Sequence, residues 1–259
     1  MWSLAIPYFL WNLLAIFYFY AVHRLFSNYI DPNYNNIEQY GLKVILQAFW
    51  TGTDGNPIAY QFWFIRDLFM MSLLAPLFYV VMKGHIGYFI VCIISLNYIF
   101  SIYSPLWLQS ISWFGIGAFI GINKIDILAF LRSTKGLVII AYALFVIMSL
   151  FDNRFVGISY YLGVFASFDI ARILNAHGKK MPKILSDSAF FSYAFHGCTI
   201  MAVTRLLYKA LPHNDIALSS VFLLAPLIMI SISVSLYSLM KITMPNILNI
   251  LIGRRLDKT

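Results

Sequence analysis

Charge is scarce in this chain of 259 residues: Asp, Glu, Lys and Arg together make up 11% of it, against about 25% in soluble domains. A soluble globule needs that polar cover, because apolar surface left in water costs free energy in proportion to its area. With 61% of residues hydrophobic and a mean hydropathy of +0.79, an ordinary soluble domain is excluded. Cysteine is rarer still. Cys92 and Cys198 both lie inside apolar runs, which argues against a disulfide framework. No internal repeat and no low-complexity linker divide the chain, so one membrane domain over 1–259 is the simplest description. No Cys/His or His/carboxylate spacing suits a metal ion. A nucleophile elbow and a phosphate loop are missing as well. The net charge of +8 is spread as single Lys and Arg residues at the ends of apolar runs. That placement excludes a nucleic-acid stripe and suits anchoring to anionic lipid.

What is present is a series of apolar runs. A spanning helix needs about 20 apolar residues, and the runs 2–22, 62–82, 86–104, 107–123, 135–151, 156–175, 187–209 and 217–240 read as helices. The expected fold is all-α, a polytopic helical bundle of about eight spans. The first run does not read as a signal peptide: it has no basic n-region, is longer than the usual h-region, and runs into Tyr18-Phe19-Tyr20 with no clear small-residue cleavage site. Eight spans put both termini on one side. That side then holds Lys83, Lys124, Arg132, Lys135, Arg172, Lys179, Lys180, Lys183, Lys241, Arg254, Arg255 and Lys258, against Arg24, Lys43, Arg154 and Lys209 opposite. The bias predicts both termini in the cytoplasm. The first run dissents locally, having Arg24 behind it and no basic residue before it.

Two segments outside the spans stand out. The external loop 23–61 opens on a turn-rich stretch from Asn28 to Asn36. Within it, 36–50 is predicted as an amphipathic helix, with Gln39, Lys43 and Gln47 on one face and Ile37, Tyr40, Val44 and Ala48 on a neighbouring one. It reads as an interfacial helix on lipid or as a lid over an outward site. The tail 241–259 is expected in the cytoplasm, with 246–256 as a surface helix.

Polar groups inside apolar runs are the functional candidates, since a charge at the bilayer centre costs roughly 2.5–3.5 kcal/mol on insertion scales. Arg66 and Asp67 sit in Trp63-Phe64-Ile65-Arg66-Asp67-Leu68. They point about 100° apart, so each needs a partner elsewhere. Two readings stand: interhelical ion pairing, or a pocket in which Arg66 meets substrate oxygens beside Trp63 and Asp67. His196 lies mid-run in Ser192-Tyr193-Ala194-Phe195-His196-Gly197. Ser192 shares its face, and a hydroxyl there could fix the imidazole tautomer. Packing and base chemistry are both open to it. Arg205 follows nine residues later, as a snorkelling cation or a substrate contact. Asp169 is placed to pair with a nearby base, and Gly117-Ala118-Phe119-Ile120-Gly121 has the small-xxx-small form of close helix packing.

Taken in order, these segments resemble acyltransferase family 3, multi-spanning membrane proteins that O-acylate surface sugars. Ile6-Pro7-Tyr8, Phe62-Trp63-Phe64-Ile65-Arg66-Asp67-Leu68, Trp113-Phe114-Gly115-Ile116-Gly117-Ala118, Ser192-Tyr193-Ala194-Phe195-His196 and Met244-Pro245 with Leu251-Ile252-Gly253-Arg254-Arg255 carry the likeness over nearly the whole chain. The resemblance implies transfer of an acyl group, acetyl by expectation, from acyl-coenzyme A to a sugar hydroxyl of an exported or lipid-linked glycan. It implies no bound cofactor and a bacterial plasma membrane. His196 matches a late His of the family and not the first-helix one; it stands as the catalytic candidate of this chain, with Trp63, Arg66, Asp67, Tyr193 and Arg205 as substrate-binding candidates. Family members have about ten spans, with an Arg and an active-site His in the first. Ile6-Pro7-Tyr8 matches the start of the third. The expectation follows that this chain lacks the family's first two helices and is incompetent in catalysis by itself. A small-solute transporter or a non-catalytic membrane subunit is the alternative; it predicts paired broken helices and an internal repeat.

Overall fold

In hydrocarbon every backbone N–H and C=O must find its partner within its own segment, which leaves helices as the choice for isolated apolar runs. The computed structural model of the chain describes residues 2–26, 41–51, 55–83, 87–88, 90–92, 95, 106–212 and 214–253, and its regular elements are all helical. In order they are α1 (Trp2–Phe26), α2 (Leu42–Ala48), a 3-10 turn (Tyr60–Phe62), α3 (Trp63–Leu73), α4 (Ala75–Val81), α5 (Leu106–Ile122), α6 (Ile127–Ser133), α7 (Leu137–Ser149), a second 3-10 turn (Asn153–Phe155), α8 (Val156–Ala176), α9 (Lys183–Ala210), α10 (Asp215–Thr243) and α11 (Pro245–Leu251). The all-α expectation holds. The turn-rich stretch 28–36, the first third of the amphipathic segment 36–50, most of the run 86–104 and the basic end of the tail lie outside the described residues.

Among the described residues, three helices are long and apolar enough to cross a membrane, and up to five if each of two bent pairs counts as one span. The figure of about eight is therefore met only in part, for identifiable reasons. The run 62–82 breaks at Leu74, and α3 and α4 meet at 65°. Pro76 in the first turn of α4 has no N–H to continue the ladder. The run 107–123 continues as α6 after a 95° turn. Asp126 accepts from Ala129 N at 2.9 Å there and starts the new helix, while Asn123 Nδ2 donates to Met82 O at 2.9 Å. The run 135–151 yields only the 13 residues of α7. α9 has 28 residues, but Ser192, Tyr193, His196 and Gly197 interrupt its apolar character.

The chain forms two compact units, Met1–Arg66 with Met181–Thr259, and Asp67–Lys180. In the first, α9 and α10 pack along their lengths and α11 folds back on α1. Leu248 and Leu251 are buried there, and Trp11 Nε1 donates to Leu251 O at 3.1 Å. The tail helix thus has one face against protein and leaves Ile247 and Ile250 exposed. In the second unit α7 and α8 pair, and Met71, Phe78 and Met82 form a core with Phe114 and Ile111 of α5. Asp169 is fully buried and pairs with Arg172 at 2.6 Å, which is the partner expected of it. The Gly117–Gly121 expectation is not met among the described residues, where no atom lies within 4 Å of where a Cβ would sit at either. Both face outward, and the close approaches fall at other glycines.

Candidate active site around His196

The first unit gathers its polar side chains around one turn of α9. His196 Nδ1 lies 2.6 Å from the carbonyl oxygen of Tyr193, one turn back. A carbonyl can only accept, so Nδ1 is the donor in this contact, and in the neutral imidazole Nε2 is then the nitrogen with the lone pair. That is the tautomer a proton acceptor needs. The sequence pointed to a hydroxyl for this task, and the structure corrects it. Ser192 Oγ instead accepts from Ser233 Oγ of α10 at 2.8 Å, stapling the two long helices together. The Tyr60 ring stands edge-on to the imidazole, centroids 6.3 Å apart.

The turn is fixed from the facing side by Gln61. Its Nε2 donates to Ala194 O at 2.7 Å, and Tyr193 Oη donates to Gln61 O. Tyr193 is thereby half-buried, its ring against Phe62 at 5.7 Å. The carboxamide of Gln61 occupies the space that a Cβ at residue 197 would need. Gly197 is what lets the 3-10 turn come this close to α9. Gln61 is 3% exposed, and its Oε1 has no hydrogen-bond partner among the described residues.

The loop carrying Gln61 is itself clamped. Asn12, fully buried in α1, accepts from Ala59 N at 3.2 Å and donates to Tyr8 O at 2.8 Å. Tyr8 Oη donates to Phe49 O, and Ile58 N to Ala48 O at 2.7 Å. Arg66 Nη1 reaches Trp50 O at 2.7 Å and Gly55 O at 2.8 Å. Gly55 has φ +76°, a left-handed conformation that suits glycine, and turns its carbonyl toward the guanidinium. Arg66 is 9% exposed, and these carbonyls offset the cost of burying it. The loop geometry alone accounts for much of its placement.

The remaining candidates are distributed. Trp63 is half-buried at the start of α3, its ring against Phe64. Asp67 belongs to the second unit, where it accepts from Ser110 Oγ of α5 at 2.5 Å, a partner on another helix. Arg205 is exposed, about two and a half turns beyond His196, as snorkelling requires. Three residues escaped the sequence reading: Asn12, Gln61 and Gly197. The signal for Asn12 was the one used for Arg66, a polar side chain inside an apolar run, whereas Gln61 lies at the end of the loop 23–61, where no such signal marks it. Gly197 was quoted beside His196, but only packing reveals its role. No group of three or more His, Cys, Asp or Glu among the described residues can hold a metal ion.

A family model described as an acyltransferase domain matches residues 1–239. The chain belongs to acyltransferase family 3. That match covers α1 through most of α10, and with it Tyr60, Gln61, Tyr193 and His196. No curated protein and no solved structure matches the chain. As a member of an acyltransferase family whose helices include membrane-spanning candidates, it is a membrane acyltransferase in general terms.

Proposed function

We propose that the protein transfers an acyl group, most simply acetyl, from acyl-coenzyme A to a sugar hydroxyl of an exported or lipid-linked glycan, in a bacterial plasma membrane. The observation that carries this reading is the His196 tautomer in a chain of this family. Nε2 is left as the proton acceptor, and Nδ1 is engaged by a carbonyl that cannot move without unwinding α9. In the reaction the acceptor oxygen attacks the thioester carbonyl while Nε2 takes its proton. The tetrahedral intermediate then expels the coenzyme A thiolate, which recovers that proton and leaves as the thiol. Acyl-coenzyme A is a co-substrate here, and no resident cofactor is needed. Arg66, Trp63, Tyr193, Asp67 and Arg205 are proposed at the substrates. Arg66 ranks above Arg205, because Arg205 has a sufficient reason to be where it is. The transporter alternative draws no support from the family match.

The test is transfer of labelled acetyl from acetyl-coenzyme A to glycan by the purified chain in lipid. His196→Ala and His196→Gln are each expected to lower turnover about 10²–10⁴-fold, the usual worth of a general base. Unchanged turnover in both would remove His196 from the chemistry. Turnover that requires two further spans from a longer relative would place the base in those spans and leave His196 a supporting role.

A further inference from the structure

The unit Asp67–Lys180 gathers cations at one end. Tyr142 of α7 meets Gly163 of α8, and Asn153–Phe155 joins the two helices beyond that contact, so they run antiparallel. The start of α7 and the end of α8 therefore lie together. α6, which leads into α7, packs on α8 at that end. Lys124, Arg132, Lys135, Arg172, Lys179 and Lys180 surround it. The carboxylates there are engaged, Asp126 with Arg132 at 3.7 Å and the buried Asp169 with Arg172 at 2.6 Å. The four lysines are exposed and have no ion-pair partner among the described residues.

α6 is turned across the unit. It leaves α5 at 95°, so with α5 along the bilayer normal α6 lies in the bilayer plane. Leu131 buries one face of it, while Ile125, Leu128 and Phe130 are exposed. A short in-plane helix that exposes both apolar side chains and cations has the form of an interfacial segment. Acyl chains meet the first and phosphates the second. That pairing fits a phospholipid, whereas a soluble anion makes no use of the apolar side chains.

The lysines at the two ends of α6 are held at a cost. Lys124 has φ +52° and Lys135 φ +48°, and among the described residues these are the non-glycine residues with positive φ. Lys124 closes α5, where Ile125 N donates to Ile120 O at 3.0 Å. Lys135 follows the end of α6 and precedes Gly136 at φ +84°. Glycine is the residue that suits such positions, because a Cβ there crowds the backbone. Lysine in both gives up that fit and sets a cation at each end of α6. Backbone strain of this kind concentrates where a side chain has a task.

We propose that α6 and its flanking lysines form a binding site for anionic phospholipid. The phosphate headgroup meets Lys124, Lys135 and the neighbouring cations, and an acyl chain lies along Leu128 and Phe130. The site contains neither His196 nor Arg66, and the proposal stands whether or not the chain transfers acyl groups.

The probes are photoactivatable phosphatidylglycerol and a matched photoactivatable phosphatidylcholine. Each is added to the full chain in nanodiscs of equal parts of the two lipids, and the crosslinks are mapped to peptides. Over 123–137, phosphatidylglycerol is expected to label well above phosphatidylcholine. Lys124→Gly and Lys135→Gly should each reduce that preference roughly fivefold, the worth of one cation near a lipid surface. Lys124→Arg and Lys135→Arg should keep it. The thermal midpoint of the glycine variants is expected to hold or rise, since glycine takes positive φ freely. A midpoint that falls in both would mark the lysines as structural and overturn the proposal. So would equal labelling by the two lipids, or an undiminished preference in the double glycine variant. Loss of labelling on adding excess inorganic phosphate or coenzyme A at constant ionic strength would also overturn it, by making the site one for soluble anions.

Discussion

Gly197 and Gln61 illustrate how one missing methyl can set a site. The carboxamide fills the volume a side chain at 197 would claim, so Gly197→Ala forces the 3-10 turn away from α9. Overpacking of this kind costs typically 1–3 kcal/mol. The thermal midpoint in detergent is expected to fall, and Gln61→Ser is expected to recover part of the loss in the double variant, since it vacates the contested space. Additive losses would show that the two side chains do not compete. Arg66 gives a second residue-scale test. Arg66→Ala strips Trp50 O and Gly55 O of their shared donor and with it the tie that holds the loop to α3. Limited proteolysis between Trp50 and Asn56 should accelerate in Arg66→Ala and stay unchanged in Arg205→Ala, whose side chain is exposed. If the loop is cut equally slowly in both, Arg66 does not hold it.

At the scale of elements, the helices differ in what ends them. α3 stops at a proline-led break, whereas α6 starts on an aspartate cap. The 3-10 turn Asn153–Phe155 begins at Asp152, whose carboxylate accepts from the Arg154 backbone at 2.9 Å and from its guanidinium at 2.8 Å. The hydrogen bond from the Arg154 side chain holds this carboxyl below its ordinary range. A depressed carboxyl stabilises the fold above its unfolded pKa, and that contribution fades as pH falls through the lower folded value. Asp152→Asn should therefore lower the thermal midpoint slightly at pH 7. The difference from the parent should shrink as the buffer is taken below pH 4, near the ordinary Asp value of about 3.9. A gap that stays constant with pH would assign the effect to the cap geometry and not to charge. α11 shows another element-level outcome. Its buried Leu248 and Leu251 and the indole bond from Trp11 make it part of the first unit's packing.

For the whole molecule, the open quantity is how many times the chain crosses the bilayer. The basic residues favour both termini in the cytoplasm if the crossings number eight. The bent pairs α3–α4 and α5–α6 are each either one broken span or a re-entrant loop. A reporter fused after Thr259 is expected to read cytoplasmic, and one inserted near Asn33 external. The same side for both would require an even number of crossings between them and so discard the eight-span count.

Composition and run length pointed to an all-helical membrane protein, because continuous apolar runs of about 20 residues satisfy their backbone within one segment as helices. The order of local segments was enough to place it in its family. The polar residues most embedded in apolar runs, Arg66, Asp67, Asp169 and His196, were legible for the same energetic reason. Partners were another matter. That Tyr193's carbonyl rather than Ser192's hydroxyl fixes the imidazole depends on rotamers and on Ser233, 41 residues further along the chain on the neighbouring helix. The need for glycine at 197 depends on a side chain 136 positions earlier. Gly117 and Gly121, spaced for close packing, face open space. Local sequence sets which groups a helix must bury and how its ends are satisfied; which neighbour meets them is set by contacts between segments far apart in the chain, and only the tertiary structure decided those.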